Sequence, residues 1–294
     1  EDWVTQTIAL NVAPSGTGVI VKNAIPDDVQ DFVFTSDIPS NMSFSLDDDT
    51  DETLSNTKTI LSIPVGTYSV TEPAVSGWEL TDLSCEGDDG DSVGNVETGV
   101  AIIDLDDGET ITCTFTNTKQ GSITVHKDVV APNGQTDVDD NSEFDVTLDG
   151  GNQQKISENS SYKYDNLALG TYTLAEVIPG DPDFDLLRIS DDDDEDPSNG
   201  ATVTVTAGQD TSVTITNGQK QGHLTVIKHV VNHNIGQSAV EDFTMSVSGT
   251  PALPSSFAGD ENGTTVTMDP GSYSVDESGP EGYAMSQTSG CSGT

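Results

Sequence analysis

The sequence carries one seven-residue motif three times: Gly66-Thr67-Tyr68-Ser69-Val70-Thr71-Glu72, Gly170-Thr171-Tyr172-Thr173-Leu174-Ala175-Glu176 and Gly271-Ser272-Tyr273-Ser274-Val275-Asp276-Glu277. Its Tyr, its Val or Leu, and its Glu stand at positions i, i+2 and i+4, so on a β-strand the three side chains share one face. The two apolar members indicate that this face is buried, and the glutamate is therefore carried inward. A buried carboxylate is costly without a partner, so each copy of the motif predicts a partner for its glutamate.

Two further motifs keep the same period. Lysines share strand parity with apolar residues in Ile20-Val21-Lys22, Ile123-Thr124-Val125-His126-Lys127 and Leu224-Thr225-Val226-Ile227-Lys228. Asparagines do so in Cys113-Thr114-Phe115-Thr116-Asn117 and Val213-Thr214-Ile215-Thr216-Asn217. The period of about 100 residues is that of a small β-sandwich, and short alternating runs broken by Gly, Pro, Asn and Asp favour strands. The predicted fold class is all-β, with three sandwiches in tandem.

The period divides the chain into a short leading strand and three domains: residues 1–15, 16–119, 120–220 and 221–294. The third domain is expected to lack its final strand, because no closing asparagine motif follows its glutamate motif. Residues 1–15 read as a final strand of this kind. Asn11 precedes Lys22 by the same interval that separates Asn217 from Lys228. The chain is thus expected to begin with a final strand and to end one strand short.

The composition excludes several classes of function. The net charge is −42, from 9 Lys and Arg against 51 Asp and Glu, so the chain is not expected to bind nucleic acid or anionic membrane surfaces. No apolar run is long enough to span a bilayer, and no nucleophile–base pair or phosphate loop indicates an enzyme. Few lysines and many Ser, Thr, Asn and Gly suit an extracellular or cell-surface location.

With these motifs the chain resembles the prealbumin-like, Cna B-type (SpaA-like) repeat domains of bacterial and archaeal surface proteins and pilins, which are Ig-like β-sandwiches. The resemblance covers all three repeats. It rests on the first-strand lysine, the glutamate motif and the last-strand asparagine. In that family the lysine and asparagine side chains often condense into an intramolecular isopeptide bond, assisted by the glutamate. The resemblance implies two such sets: Lys22, Glu72 and Asn117, then Lys127, Glu176 and Asn217.

This chemistry is reasonable on physical grounds. Desolvation lowers a lysine pKa and exposes a nucleophilic amine, and a buried protonated glutamate polarises the amide carbonyl and relays protons as ammonia leaves. The alternative is a buried Lys–Glu pair with an asparagine hydrogen bond and no covalent link. Autocatalytic bond formation is the only catalysis expected.

An open third domain predicts self-assembly. Unpaired backbone and an exposed core make such a domain unstable or adhesive, and residues 1–15 of another copy can complete it by strand donation. The contact is heterologous, so it generates a head-to-tail homopolymer, a pilus-like extracellular filament. The alternative is that the chain is a fragment of a long cell-surface adhesin or stalk made of the same repeats.

Two versions of strand donation are open. In the covalent version, Lys228 of one subunit joins Asn11 of the next with Glu277 assisting. Asn11 then shares its face with Thr7 and Ala9, and the apolar side chains face outward unless a bulge intervenes. The strand alternation favours the noncovalent version, in which the groove takes the apolar donor residues Val4, Ile8, Leu10 and Val12.

The cysteines predict one disulfide. Cys85 ends the strand after the first glutamate motif and Cys113 lies in the closing strand of that repeat, so adjacent strands can bring them into bonding range. An extracellular setting permits the bridge, and two buried thiols are the alternative. Cys291 follows Glu277 by nearly the interval between Glu72 and Cys85. It is therefore expected to occupy the place of Cys85 and to remain a reduced thiol.

Two further kinds of site are candidates. Calcium prefers several oxygen ligands at flexible sites, and two acidic runs offer candidate calcium ligands: Asp47, Asp49 and Asp51 in one, and Asp88, Asp89 and Asp91 in the other. No acidic run matches an EF-hand loop, and most such runs are solvated. No other cofactor is expected. Glycosylation sequons begin at Asn41, Asn159 and Asn262.

Overall fold

A computed structural model of the chain describes residues 13–51, 53–87, 90–132, 142–177, 183–190, 200–233, 237–286 and 290–293. The regular structure of these residues is β, apart from a short 3-10 helix at Val240–Asp242. The predicted all-β class is therefore confirmed. None of the helical structure in the described ranges has the length and apolar character that crossing a membrane requires.

The described residues of the N-terminal part of the chain contain nine strands. They are β1 (Ser15–Ile25), β2 (Asp28–Ser36), β3 (Ser43–Asp48), β4 (Thr57–Pro64), β5 (Gly66–Thr71), β6 (Trp78–Glu86), β7 (Val93–Asn95), β8 (Val100–Leu105) and β9 (Thr110–Lys119). They form two sheets with the strand orders β4-β1-β9-β6 and β3-β2-β5-β8-β7. β1 begins at Ser15, which pairs with Pro64, and the division into a leading strand, residues 1–15, and a first domain, 16–119, stays a prediction.

The core of this part lies between its two sheets. Burial alternates along β1, with Ile20 and Lys22 both pointing inward. Phe34 of one sheet meets Phe115 of the other, with 5.1 Å between their ring centroids. Full burial of such a side chain stabilises the fold by about 1.5–3 kcal/mol. A lysine on this face must therefore find its partners inside an aromatic core.

The first and last strands of this part lie side by side. β1 and β9 are parallel, and Lys22 pairs in register with Phe115 while Ala24 pairs with Asn117. A parallel pair needs a long connection between its strands, which the seven intervening strands supply. The topology thus brings the first-strand lysine next to the last-strand asparagine.

The second part has eight strands in the described residues. They are β10 (Gly121–Val130), β11 (Glu143–Leu148), β12 (Gly151–Ser157), β13 (Ser161–Leu167), β14 (Gly170–Val177), β15 (Phe184–Ile189), β16 (Ala201–Val205) and β17 (Asp210–Gln219). The sheet orders are β13-β10-β17-β15 and β12-β11-β14-β16. They reproduce the arrangement of the N-terminal part, with β10 and β17 in the places of β1 and β9.

The third part contains the remaining strands. They are β18 (Gly222–Val226), β19 (Thr244–Ser248), β20 (Ala252–Leu253), β21 (Ser256–Ala258), β22 (Thr264–Met268), β23 (Tyr273–Ser278) and β24 (Ser292–Gly293). Their sheet orders are β18-β22-β20 and β21-β19-β23-β24. β18 pairs with β22 as β1 pairs with β4. Among the described residues, no strand takes the place beside β18 that β9 takes beside β1.

The chain folds into two compact units. One holds all of β1–β9, and the other holds most of β10–β17 and all of β18–β24. The small core of β18–β24 consists of aliphatic and methionine side chains: Val226, Met245, Val247, Val266, Met268 and Val275.

Candidate functional site

The first site joins three elements of the N-terminal part. Lys22 stands on β1, Asn117 on β9, and Glu72 directly follows β5. The Lys22 Nζ donates a hydrogen bond to Asn117 Oδ1 at 2.7 Å and to the carbonyl oxygen of Phe115 at 3.2 Å. Glu72 Oε1 lies 4.0 Å from Nζ. The three side chains named by the sequence motifs therefore meet at one point in the core.

Burial changes the proton affinity of both ionisable groups at this site. Lys22 is 0% and Glu72 4% exposed. Burial raises the pKa of Glu72 to about 7, against the opposing effects of Lys22 and Asn117. Burial also lowers the pKa of Lys22 to about 8, against the attraction of Glu72 and Asp48. Burial therefore brings the two pKa values close together, which favours the neutral amine and neutral acid more than water does.

The second site repeats this geometry on β10, β14 and β17. Lys127 Nζ donates to Asn217 Oδ1 at 2.8 Å, and Asn217 Nδ2 donates to Glu176 Oε1 at 2.6 Å. The other glutamate oxygen lies 3.5 Å from Nζ, and both charged side chains are at most 1% exposed. The asparagine amide thus stands between the amine and the carboxyl, bonded to each.

A phenylalanine covers the lysine at all three repeats, and the sequence motifs did not predict it. The distances from Nζ to the ring centroid are 4.1 Å for Lys22 over Phe32, 4.0 Å for Lys127 over Phe144 and 4.3 Å for Lys228 over Phe243. A ring face attracts a cation and excludes water. One sequence signal could have found these residues, because each phenylalanine follows an acidic residue: Asp31-Phe32, Glu143-Phe144 and Asp242-Phe243.

The third site has a lysine, a glutamate and a phenylalanine but a different geometry. Lys228 Nζ lies only 2.8 Å from Glu277 Oε2, and the two side chains are 14% and 10% exposed. Within the described ranges, no asparagine side chain is hydrogen-bonded to Lys228. The pair borders a cleft of about 370 Å³ whose apolar lining includes Leu224, Met245 and Val275.

Comparison with known proteins assigns the family. A profile described as a prealbumin-like fold domain matches residues 19–119, and another of the same description matches residues 219–294. Together the two matches cover more than half of the chain. This protein belongs to the prealbumin-like fold family. The match at 19–119 contains the complete first site, and the match at 219–294 contains the lysine and glutamate of the third.

Solved structures similar to this prealbumin-like chain come from several bacteria. The Bacillus anthracis TIE protein is 19% identical, with a TM-score of 0.43 over 94% of this chain and 47% of that one. The major pilin of Streptococcus pyogenes is 15% identical, with a TM-score of 0.24 over 71% and 99%. The minor pilin of Streptococcus agalactiae is 12% identical, with a TM-score of 0.28 over 75% and 100%. This chain spans less than half the length of the TIE protein, and no curated protein matches it.

The first prealbumin-like domain contains the predicted disulfide. Cys85 on β6 and Cys113 on β9 face each other in register and are bonded. The prediction for the position of Cys291 was wrong, because Cys291 directly precedes β24 and its carbonyl accepts a hydrogen bond from Val275. It therefore lies beside β23, in a different sheet position from Cys85. Cys291 is half-buried and forms no disulfide.

The remaining predicted sites are only partly within the described residues. Asp47, Asp49 and Asp51 place one oxygen each within 4.8 Å of one another, whereas Asp88 and Asp89 lie outside the described residues. Asp91 does not belong to this cluster among the residues described. A calcium ion there stays a prediction.

The last predicted features are the glycosylation sequons and the donor strand. Asn159 and Asn262 are exposed and Asn41 is half-buried; their glycosylation stays a prediction. The donor-strand residues lie outside the described residues: Val4, Ile8, Leu10, Asn11 and Val12.

Proposed function

We propose that this protein is a structural subunit of an extracellular, pilus-like filament whose first two domains carry Lys–Asn isopeptide bonds. The observation that carries the proposal is the contact between Lys22 Nζ and Asn117 Oδ1, 2.7 Å long and enclosed with Glu72 in the core. Lys127 and Asn217 make the same contact at 2.8 Å. An arrangement of three costly buried groups that recurs in the chain is better explained by chemistry than by packing.

The bond follows from these contacts by a balanced sequence of steps. The neutral amine of Lys22 attacks the Asn117 side-chain carbonyl carbon, which forms a C–N bond. Glu72 first donates its proton to the amide and takes one from the attacking nitrogen. The bond from that carbon to Nδ2 then breaks, and ammonia leaves. The product is an uncharged amide, so the core no longer contains a lysine charge.

The proposed bonds suit a filament under load. Each bond joins the first strand of a domain to its last strand, here β1 to β9 and β10 to β17. A pulling force that enters through one of these strands and leaves through the other is carried by the covalent link. The strands between them are then not unzipped by the force, so the domain keeps its fold.

We further propose that subunits join by strand donation. The predicted donor strand of one copy, residues 1–15, pairs with the edge of β18 in the next copy and places the apolar donor residues in the adjacent cleft. Support comes from the edge position that β18 has in its sheet among the described residues and from the apolar lining of the cleft. The contact is heterologous, so it extends into a chain of copies rather than closing as a dimer.

We also propose that the protein lies outside the cell, acts on no external substrate and has other copies of itself as partners. The disulfide is typical of an oxidising compartment, and the charge of −42 opposes binding to nucleic acid. The three domains of the proposal are residues 16–119, 120–220 and 221–294, and the described residues of the third contain no strand beside β18 in the place that β9 takes beside β1.

A second candidate function is a segment of a long adhesin or stalk. The repetition of one sandwich topology favours it, because like domains in series serve as spacers. The two candidates differ in the size of the native protein. A mature species near 30.8 kDa is expected for a subunit, and a much larger single chain for a stalk.

Mass spectrometry of native material in denaturant tests the proposal. We expect the loss of one ammonia for each complete site and crosslinked peptides that contain Lys22 with Asn117 and Lys127 with Asn217. An unshifted mass contradicts the bonds. Deletion of residues 1–12 is expected to abolish assembly under native conditions, and unchanged assembly contradicts strand donation.

A further inference from the structure

We infer that the Cys85–Cys113 disulfide is a positioning element for bond formation in the first domain, because it holds β9 in the register in which Asn117 meets Lys22 of β1. The inference rests on the proposed isopeptide bonds and makes one of them depend on oxidation. The first bond then forms fast only after the two thiols have been oxidised, whereas the bond of the second domain needs no oxidation.

The disulfide and the reacting asparagine lie on the same strand and on the same face of it. Cys113 and Asn117 are four residues apart on β9, so their side chains point to one side of the sheet. Both are buried, with 0% and 3% exposure, as is Phe115 between them. Cys113 faces Cys85 of β6 on one side and Ile20 of β1 on the other. The crosslink therefore holds β9 on the face that carries the electrophile.

The proposed reaction depends on the register of β9 against β1. The two strands pair without a shift, and in this register Asn117 Oδ1 lies 2.7 Å from Lys22 Nζ. A slip of one residue turns the asparagine to the other face of the sheet. A slip of two residues keeps the face but moves the asparagine about 6–7 Å along the strand, out of reach of the amine. The correct register is therefore a condition for the bond.

The pairing of β9 with β6 is irregular next to the reacting asparagine. The register of β6 shifts between Leu80 and Asp82, and Leu80 is the residue that faces Asn117. A bulge leaves a residue unpaired and disrupts the ladder locally. The disulfide lies on the regular side of this bulge, where the pairing is continuous from Asp82 to Glu86. The crosslink thus strengthens the register of β9 beside a point where the backbone ladder is weak.

The lengths of chain between the linked residues favour formation of the disulfide first. Cys85 and Cys113 are 28 residues apart, whereas Lys22 and Asn117 are 95 residues apart. The entropy cost of closing a loop rises with its length, and long-range pairing of parallel strands is slow. The antiparallel pair of β6 and β9 can therefore be crosslinked before β1 and β9 come together, and β9 then meets β1 already in register.

The second domain has the same reacting groups without a crosslink. Val213 takes the place of Cys113, four residues before Asn217, and is fully buried. Residues 120–220 contain no cysteine, so packing and hydrogen bonds alone hold β17 in register. The chain thus contains an internal control for the effect of the disulfide.

Oxidation of the two thiols needs an external disulfide, such as oxidised glutathione. One cysteine thiolate attacks a sulfur of that disulfide and releases a thiol, and the other cysteine sulfur then displaces the second thiol. The two cysteines lose two electrons and two protons, which the external disulfide takes up as it becomes two thiols. The attack of Lys22 on Asn117 involves no electron transfer, so the oxidant acts only on the positioning element.

Refolding of the full-length chain with and without oxidant tests the inference. Reduced, unlinked chain is diluted from denaturant into oxidised glutathione or into an excess of dithiothreitol. Peptide mass spectrometry then follows the Lys22–Asn117 and Lys127–Asn217 crosslinks in the same samples. In dithiothreitol we expect the first crosslink to form about 100-fold more slowly, the effect of a misplacement of about 1 Å in an oriented reaction. The second crosslink is expected to form at the same rate in both buffers.

Two variants separate the disulfide from other effects of thiols. Cys85→Ala with Cys113→Ala is expected to form the first crosslink slowly in both buffers. Cys291→Ala is the matched control, because it removes a thiol and keeps the disulfide, and it is expected to react as the wild type does.

A measurement of folding separates register from the fold as a whole. Trp78 is 8% exposed in the core of the first domain, and in a Trp3→Phe chain it is the only tryptophan. Its fluorescence is expected to reach the same native value in both buffers, so that slow bond formation in dithiothreitol is not slow folding.

The outcomes separate this inference from the proposed function. Equal rates of the first crosslink in the two buffers overturn the inference and leave the proposed bonds intact. Equal slowing of both crosslinks in dithiothreitol also overturns it, because the second domain has no disulfide to lose. A reduced chain in which Trp78 stays exposed overturns it as well, since the disulfide then acts on folding rather than on register. The absence of both crosslinks in both buffers overturns the proposed bonds themselves.

Discussion

The first and third domains each contain a lysine–glutamate pair, but the two pairs differ in burial and in the distance between the amine and the carboxylate. Lys22 and Glu72 are fully buried but lie 4.0 Å apart, whereas Lys228 and Glu277 are partly exposed and lie 2.8 Å apart. The difference is the asparagine. Where Asn117 accepts the hydrogen bond from the amine at 2.7 Å, the lysine no longer needs to contact the carboxylate. Without an asparagine, the two charges satisfy each other directly.

This comparison teaches what a reactive lysine site requires. A direct ion pair keeps the proton on the lysine, and a protonated amine cannot attack. Burial of the first pair lowers the pKa of Lys22 to about 8 and raises the pKa of Glu72 to about 7. The third site holds a lysine and a glutamate in direct contact, 2.8 Å apart.

The largest expected effect comes from removing the asparagine of the first site. Asn117→Ala is expected to lower the free energy of unfolding of the first domain by about 4–5 kcal/mol, the chain entropy that a link across about 95 residues removes from the unfolded state. Urea unfolding of the full chain, with the disulfide intact, measures it. Asn23→Ala is the matched control, because it removes only a hydrogen bond to Thr116, worth about 1 kcal/mol. Equal losses contradict a covalent bond.

Removing the proton relay gives the next largest effect. Glu72→Gln keeps the shape of the side chain but cannot exchange a proton, so bond formation in the first domain is expected to slow by about 100-fold or more, or about 2.7 kcal/mol in activation free energy. The time course of ammonia loss after refolding of unlinked chain from denaturant measures the rate. Glu79→Gln, on the exposed surface of β6, is expected to react at the wild-type rate. Comparable rates for Glu72→Gln and the wild type remove Glu72 from the mechanism.

The rate of bond formation in the first domain is expected to depend on pH. Below about 7 the glutamate is protonated but Lys22 is charged, and above about 8 the amine is neutral but Glu72 has lost its proton. The rate is therefore expected to be greatest between these values and to fall about tenfold for each pH unit on either side. Refolding the unlinked chain in a series of buffers, with mass spectrometry as the readout, tests this. A rate that rises steadily with pH indicates that the protonated glutamate is not needed.

The smallest effect is expected at the third site. Replacing both charged groups, as Lys228→Met with Glu277→Leu, is expected to change the unfolding free energy by less than about 1 kcal/mol, because apolar side chains of similar size often replace a buried ion pair without loss. Urea unfolding of unassembled chain measures the change. The corresponding double variant Lys22→Met with Glu72→Leu also loses the bond, and its cost is expected to approach that of Asn117→Ala. A large loss at the third site instead means that its pair is structural.

The sequence alone predicted the parts of the site that depend on strand parity. The alternation in β1 and β9 is enough to turn Lys22 and Asn117 inward, and their roughly 100-residue period is that of a sandwich. Phe32 was missed because it reaches Lys22 from the opposite sheet, and the packing of one sheet on another is not fixed by alternation within a strand.

The predicted position of Cys291 was wrong for a related reason. Its spacing from Glu277 matches that of Cys85 from Glu72, but a count of residues does not determine where a connection leads. After β23 the chain returns to the edge of β23 itself, whereas β6 pairs with β9 in the other sheet. The donor strand lies outside the described residues and stays a prediction.

β9, the closing strand of the first domain, is held in place on both of its edges. β9 is held to β6 through the bond between Cys85 and Cys113 and to β1 through Lys22 and Asn117. A strand fastened along both edges cannot be exchanged, so an acceptor cleft cannot capture it from a folded neighbour. The closing strand of a folded first domain is therefore not available to a cleft in another copy. Under the proposed strand donation, β9 of a folded copy is therefore not expected to act as a donor strand.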